Sequence, residues 1–189
     1  MKLAILVFDR FTDLDVFMPW DLLNRVSRFH LHPDWTVKLV GTDDHHTSEN
    51  GLTIPMSAGL SYLAEADAVL IGSGPGLQKL IGVETFLDEL KRLLDPERQL
   101  IGSMCSGSLL LAKLGLLEGR KATTYPTRVK QLAAMGIEVV ADQPFVKQGR
   151  IATAAGCLAA LDLSRWMIEE LTSPEIAAKA IATVQPNGV

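Results

Sequence analysis

The strongest constraint on this chain is the alternation of short apolar runs with segments of helical period. Met1 to Phe8 is apolar on both faces and reads as a buried strand. Leu14 to Arg28 follows with Leu14, Phe17, Met18, Leu22 and Val26 at helical spacing. Trp35 to Gly41 reads as a second strand, and His45 to Pro55 as a polar turn with a short strand pair around "ENG". Leu60 to Ala66 predicts a short helix, and Asp67 to Ile71 a strand that runs into the glycine-rich "GSGPG". Gln78 to Leu94 predicts one helix with an apolar stripe through Leu80, Ile81, Phe86, Leu87, Leu90 and Leu94. Gln99 to Met104 is the next strand. Ser106 to Leu114 is a helix stopped at Gly115, and Pro126 to Met135 is another stopped at Gly136. Short strands at Ile137–Ala141, Phe145–Lys147 and Ile151–Thr153 lead to a helix over Leu158–Leu171. Ser173 opens a last helix, with Pro174 in its first turn.

Strands that are apolar throughout and alternate with helices predict an α/β fold, a mainly parallel sheet covered on both faces. In such sheets ligands bind beyond the carboxyl ends of the strands. That edge collects "FDRFTDLD", "GSGPG", "MCSGS" and "ATAAGC". With no repeat, linker or low-complexity segment, residues 1–189 read as a single domain.

Composition narrows the class of function. The chain is 48% hydrophobic and 21% charged, with a net charge of −4. The charges are interspersed, which argues against a nucleic-acid partner. No apolar run is long enough to span a membrane. "MKLAILVF" is too short and too soon followed by Asp9, Arg10, Asp13 and Asp15 to be a signal peptide. Cys105 and Cys157 lie far apart and outside any zinc or C-x-x-C spacing, so free thiols in a cytoplasmic setting are expected.

Cys105, in "IGSMCSGSLLL", stands where a strand gives way to a helix. A tight strand-to-helix turn projects a nucleophile above the sheet, and small neighbours leave room for a substrate. A helix N-terminus there predicts a lowered thiol pKa. The N–H groups of Cys105 and Ser106 are candidates to face a developing anion. The same position also suits a small buried cysteine at a strand end. Asp15 is a candidate acid-base partner on the same edge, with Asp13 the better helix cap. "GSGPG" lacks the lysine and spacing of nucleotide-binding loops, and its amides are candidates for an oxyanion hole. His30, His32, His45 and His46 all read as surface residues in polar loops, so no histidine is placed beside Cys105. Cys157 reads as a packing residue, because Leu158 to Leu161 follow it.

These residues also carry a resemblance. "GSMCSGSLLLAKLGLLEGRKATTYP" resembles the cysteine elbow of the ThiJ/PfpI superfamily. "ILVFDRFTDLDVFMPWDLL", "AVLIGSGPG" and "IATAAGCLAALDLSRWMIEEL" are similar to its first strand and acidic helix, its glycine turn and its late helix. The chain looks most like the isonitrile hydratase branch and the related amidase-like input domains of AraC-type regulators, through Leu14-Asp15 and Ser106. That resemblance implies a flavodoxin-like three-layer sandwich, a homodimer, and no required cofactor or metal. It implies Cys105 as nucleophile, Asp15 as its acidic partner, and N–H groups near Gly74 and Ser106 facing a small-molecule substrate. Ser106 stands where the protease-like branch commonly has histidine, which argues against peptidase activity. Tyr125 stands where many relatives have histidine, and the turn "GSGPG" departs from their usual proline-glycine-glycine start.

The expected function is cysteine-dependent hydration of an isonitrile to an N-substituted formamide, the work of a lyase. The alternatives are a glyoxalase-like reaction on 2-oxoaldehydes, or a redox or ligand sensor that uses an oxidisable Cys105. No segment of the chain reads as a DNA-binding helix pair, so direct transcriptional control is not expected.

Overall fold

The computed structural model describes residues 1–185; the last four positions of the expected domain lie outside the described residues. Seven strands form one sheet in the order β10-β11-β7-β6-β1-β2-β5. These are β1 (Lys2–Leu6), β2 (Thr36–Gly41), β5 (Ala58–Gly59), β6 (Ala68–Ile71), β7 (Leu100–Met104), β10 (Phe145–Gln148) and β11 (Ile151–Ala154). All pairings are parallel except β10 with β11. Two small ribbons complete the strands: β3 (His45–Thr47) with β4 (Thr53–Pro55), and β8 (Lys121–Ala122) with β9 (Glu138–Val139).

The central strands are buried along their length, as their continuous apolar character requires: β6, β7 and β11 have no exposed residue. Alternating residues of β7 face opposite layers. A Cβ added at Gly102 would press on Leu163 and Met167, whereas Ser103 lies under Gly107 on the other side. The first layer holds α1 (Asp13–Arg28), α6 (Ala160–Leu171) and α7 (Pro174–Ala182), which pack on one another. The helices α2 (Leu77–Leu80), α3 (Glu84–Leu93), α4 (Ser108–Lys113) and α5 (Val129–Ala134) complete the set.

Several expectations shift in detail. The buried face of α1 is Asp15, Val16, Pro19, Leu22, Leu23 and Val26, while Leu14 is 47% exposed. The apolar residues at 14, 17 and 18 suggested a stripe rotated from this one. The single helix expected over 78–94 is two, interrupted at Gly82 and Val83, where valine takes an extended backbone. The segments Leu60–Glu65 and Pro126–Arg128 form 3-10 helices, and Ala66 is already extended. Strand β9 is shorter than the expected 137–141. His46 is not a surface residue: it is buried in β3, and Asp9 Oδ1 lies 3.1 Å from its Nδ1. Its polar sequence neighbours concealed this, because the whole ribbon folds back over the Asp9 turn.

Candidate active site

The carboxyl ends of β1, β6, β7 and β11 lie side by side and carry the four turns noted in the sequence. A cavity of about 300 Å³ opens above them, lined there by Thr12, Ser73, Gly74, Cys105, Ser106 and Cys157. Its far wall includes Tyr125, Thr127 and Arg128 from the turn before α5.

Cys105 follows β7 directly and has φ of +51°, in the left-handed region. A non-glycine residue there costs of order 1–3 kcal/mol, which surrounding contacts must offset. Those contacts hold its carbonyl: Thr124 Oγ1 donates to the Cys105 oxygen at 3.1 Å, and Ser108 Oγ reaches it at 3.3 Å. Ser108 Oγ is also 2.7 Å from Thr124 Oγ1, closing a small hydroxyl cluster beneath the elbow. A 3-10 turn over Cys105–Gly107 then leads into α4. Gly107 is required by space, since a Cβ would stand 2.9 Å from the carbonyl oxygen of Gly72. Sequence reasoning missed Thr124 and Ser108 as supports. The "ATT" segment that follows β8 was the available signal for Thr124.

Asp15 sits in the first turn of α1 with 0% of its surface exposed. Ser73 donates its hydroxyl to Asp15 Oδ2, while Oδ1 has no hydrogen-bond partner among the described residues. A buried carboxylate oxygen without a partner is costly, and beside a thiol it marks a place where a proton is handled. Asp13 does not cap α1; it is the first helical residue, and Asn50 donates to its Oδ2 at 2.8 Å.

The expected lowering of the Cys105 pKa is overturned. Burial and the Asp15 charge push the thiol up to about 11, while the Ser73 hydroxyl and the Ser106 N–H pull it down. Burial of the thiol, and then the Asp15 charge, outweigh the helical turn, which is short. Cys105 therefore stays protonated at neutral pH, and Asp15 stands as the group able to take its proton. Cys157 is also not the packing residue expected. It lines the cavity, and its neighbour Leu158 points outward at 78% exposure. Burial and then Asp15 push its thiol up to about 12.

The glycine turn approaches the first strand backbone to backbone. Thr12 N donates to Ser73 O at 2.7 Å. Gly74 has φ of +146°, and a Cβ there would stand 2.3 Å from the Arg10 carbonyl oxygen. At Gly76 the Asp9 oxygen would be 1.7 Å away. The turn therefore brings Gly74 to the cavity beside Cys105. Among the described residues, no group of three His, Cys, Asp or Glu side chains could hold a metal ion, and no helix is long and apolar enough to cross a membrane.

A mainly parallel sheet with a cysteine on a strained strand-to-helix elbow and an acidic first helix defines a class of α/β proteins built around a single thiol site. The chain belongs to the DJ-1/PfpI family, which it matches over residues 1–170. It is 28% identical over 177 residues to an isonitrile hydratase of Pseudomonas putida, covering 94% of this chain and 75% of that protein. A ThiJ/PfpI family protein from Pseudomonas syringae superposes with a TM-score of 0.84 at 26% identity, over 98% of this chain and 76% of that one. An AraC family transcriptional regulator from Pseudomonas putida superposes with a TM-score of 0.80 at 14% identity, over 97% of this chain and 99% of that one, a likeness of fold. The family and the flavodoxin-like fold accord with the resemblance read from the sequence, and the likeness to an isonitrile hydratase points the same way.

Proposed function

We propose that the protein is a cysteine-dependent hydratase that converts an isonitrile to an N-substituted formamide. The observation that supports this reading is the buried Asp15, its Oδ1 without a hydrogen-bond partner among the described residues, set against the Cys105 thiol at the cavity. The likeness to an isonitrile hydratase supports the substrate class.

An isonitrile carbon must gain both a nucleophile and a proton. The Cys105 sulfur attacks that carbon and the S–H proton passes through Asp15 to the same carbon, giving an S-bound thioimidate. Asp15 then takes a proton from water as the water oxygen adds to the thioimidate carbon. The nitrogen is protonated, the carbon–sulfur bond breaks, and Cys105 leaves as thiol. The sum is isonitrile plus water to formamide. Cys105 and Asp15 are the catalytic residues, and the N–H groups of Gly74 and Ser106 hold the polar end of the intermediate. No step needs an imidazole, a metal or a cofactor, and the substrate is a neutral small molecule rather than nucleic acid or a membrane.

The 1–189 segment acts in this reading as one domain, in the cytoplasm and as a homodimer. The homodimer is supported by Leu14 and Trp20, both exposed on α1. A cyclohexyl isonitrile assay tests the function. Formamide should appear over many turnovers and vanish in Cys105→Ala. Conversion of methylglyoxal to lactate with no formamide would move the assignment to glyoxalase-like chemistry.

A further inference from the structure

Cys157 occupies a position that its sequence neighbours concealed. Strands β7 and β11 are adjacent and parallel, and Met104 pairs with Ala154 at their carboxyl ends. Cys105 follows the first directly, and Cys157 lies three residues beyond the second. Neighbouring strands are about 4.8 Å apart, so the two turns that carry the cysteines leave the sheet within a separation of the size that disulfides span. Both side chains line the same cavity, both are only partly buried, and both are reduced. The Cys157 thiol feels the charge of Asp15 and of Cys105. The turn that carries Cys157 presents the exposed Leu158, so a shift of that residue uncovers no core.

We propose that Cys105 and Cys157 form a two-thiol redox centre that reduces a hydroperoxide and closes as an intramolecular disulfide. Asp15, whose Oδ1 is unpartnered, takes the Cys105 proton as its sulfur attacks the distal peroxide oxygen. The S–O bond forms, the O–O bond breaks, and the alcohol or water leaves with a proton, so Cys105 becomes a sulfenic acid. The Cys157 sulfur then attacks the Cys105 sulfur, giving up its proton to the departing oxygen. The S–S bond forms and water leaves. The two thiols supply the two electrons that reduce the peroxide, and an external dithiol returns the centre to its starting state. A thiol beside a carboxylate but without a resolving partner continues to sulfinic acid; here the second thiol intercepts the sulfenic acid first.

This inference is separate from isonitrile hydration and is read without turnover. The full chain is treated with hydrogen peroxide and its intact mass and non-reducing peptide map are recorded. The expected result is loss of two hydrogens, a linked pair of peptides carrying Cys105 and Cys157, a monomeric chain under denaturing conditions, and full reversal by dithiothreitol. Cys157→Ser should lose the link and gain oxygen atoms at Cys105. Oxygen addition at Cys105 in the wild type with no linked peptide would overturn the proposal, as would a link between two chains. Phenylarsine oxide, which bridges neighbouring thiols, gives a check that needs no folded variant. One equivalent should bind the reduced wild type and protect both cysteines from iodoacetamide. Protection of neither would also refute the pairing.

Discussion

Ser73 and Asp15, 58 residues apart in sequence, are joined by a hydrogen bond in which the serine hydroxyl donates to Oδ2 and leaves Oδ1 bare. The bond ties the glycine turn to the first turn of α1, so the carboxylate faces the thiol site from a fixed position. Ser73→Ala should release Asp15 and lower kcat roughly tenfold, the size of one lost hydrogen bond, with KM little changed. It should also raise the Cys105 pKa further, because the Ser73 hydroxyl opposes the rise. An alkylation profile against pH reads the second effect, which a purely structural role would not produce.

Cys105 alkylation by iodoacetamide should climb by about tenfold per pH unit above neutrality and level off only near pH 11. The sign follows from the cause: burial and a neighbouring negative charge both disfavour the thiolate. Asp15→Asn removes the charge and keeps the burial, so the profile should move to lower pH while turnover falls about a hundredfold. A plateau near neutral pH in the wild type would contradict the account.

Linkage gives the same shift a second readout. The Cys105 thiol binds its proton more tightly in the folded chain than in the unfolded one. Its contribution to stability is therefore complete below the ordinary thiol range and is lost as pH rises from 9 towards about 11. Urea midpoints measured across that window should fall less steeply for Cys105→Ala than for the wild type.

The elbow should be sensitive beneath the thiol. Thr124→Val deletes the donor to the Cys105 carbonyl, and Ser108→Ala deletes its neighbour. Each should cost about 1 kcal/mol in stability. Turnover should fall further than stability alone explains, since the left-handed Cys105 then loses its support. Circular dichroism melts beside single-turnover rates separate the two effects.

Three glycine substitutions form a graded series. Gly59→Ala meets nothing within 4 Å and should be close to neutral. Gly107→Ala pushes into the Gly72 carbonyl and should cost about 1–3 kcal/mol. Gly74→Ala meets the Arg10 carbonyl at 2.3 Å with φ of +146°, so it should destabilise most and abolish the site. Urea unfolding midpoints in that order are the check.

Strand alternation was readable because buried parallel strands are apolar on both faces, and the cysteine elbow was readable because only small residues permit such a turn. Asp15 stood in the correct turn for the same reason of placement. The burial face of α1 was not legible, since Pro19 and Asp15 are buried while Leu14 is exposed, against their usual preferences. Cys157 was misread because the four apolar residues Leu158 to Leu161 that follow it suggest a core, yet the chain turns at that point and Leu158 faces outward. The Cys105 pKa was misread because a local rule about helix ends ignored the burial of the thiol and, after it, a charge supplied from residue 15. His46 was missed for a similar reason: its burial depends on a ribbon folding over a distant aspartate.

The contact between the glycine turn and the Asp9–Thr12 backbone makes one edge of the cavity unusually crowded. At Gly74 and Gly76 main chain is pressed on main chain, so neither position accepts a side chain. The opposite wall, with Tyr125 42% exposed and Thr127 and Arg128 beside it, has side chains to vary and no such crowding. In the proposed function, chemistry and choice of substrate would then fall to different parts of the polypeptide. A change of diet for this scaffold is a change of its wall, made while the machinery below is inherited intact.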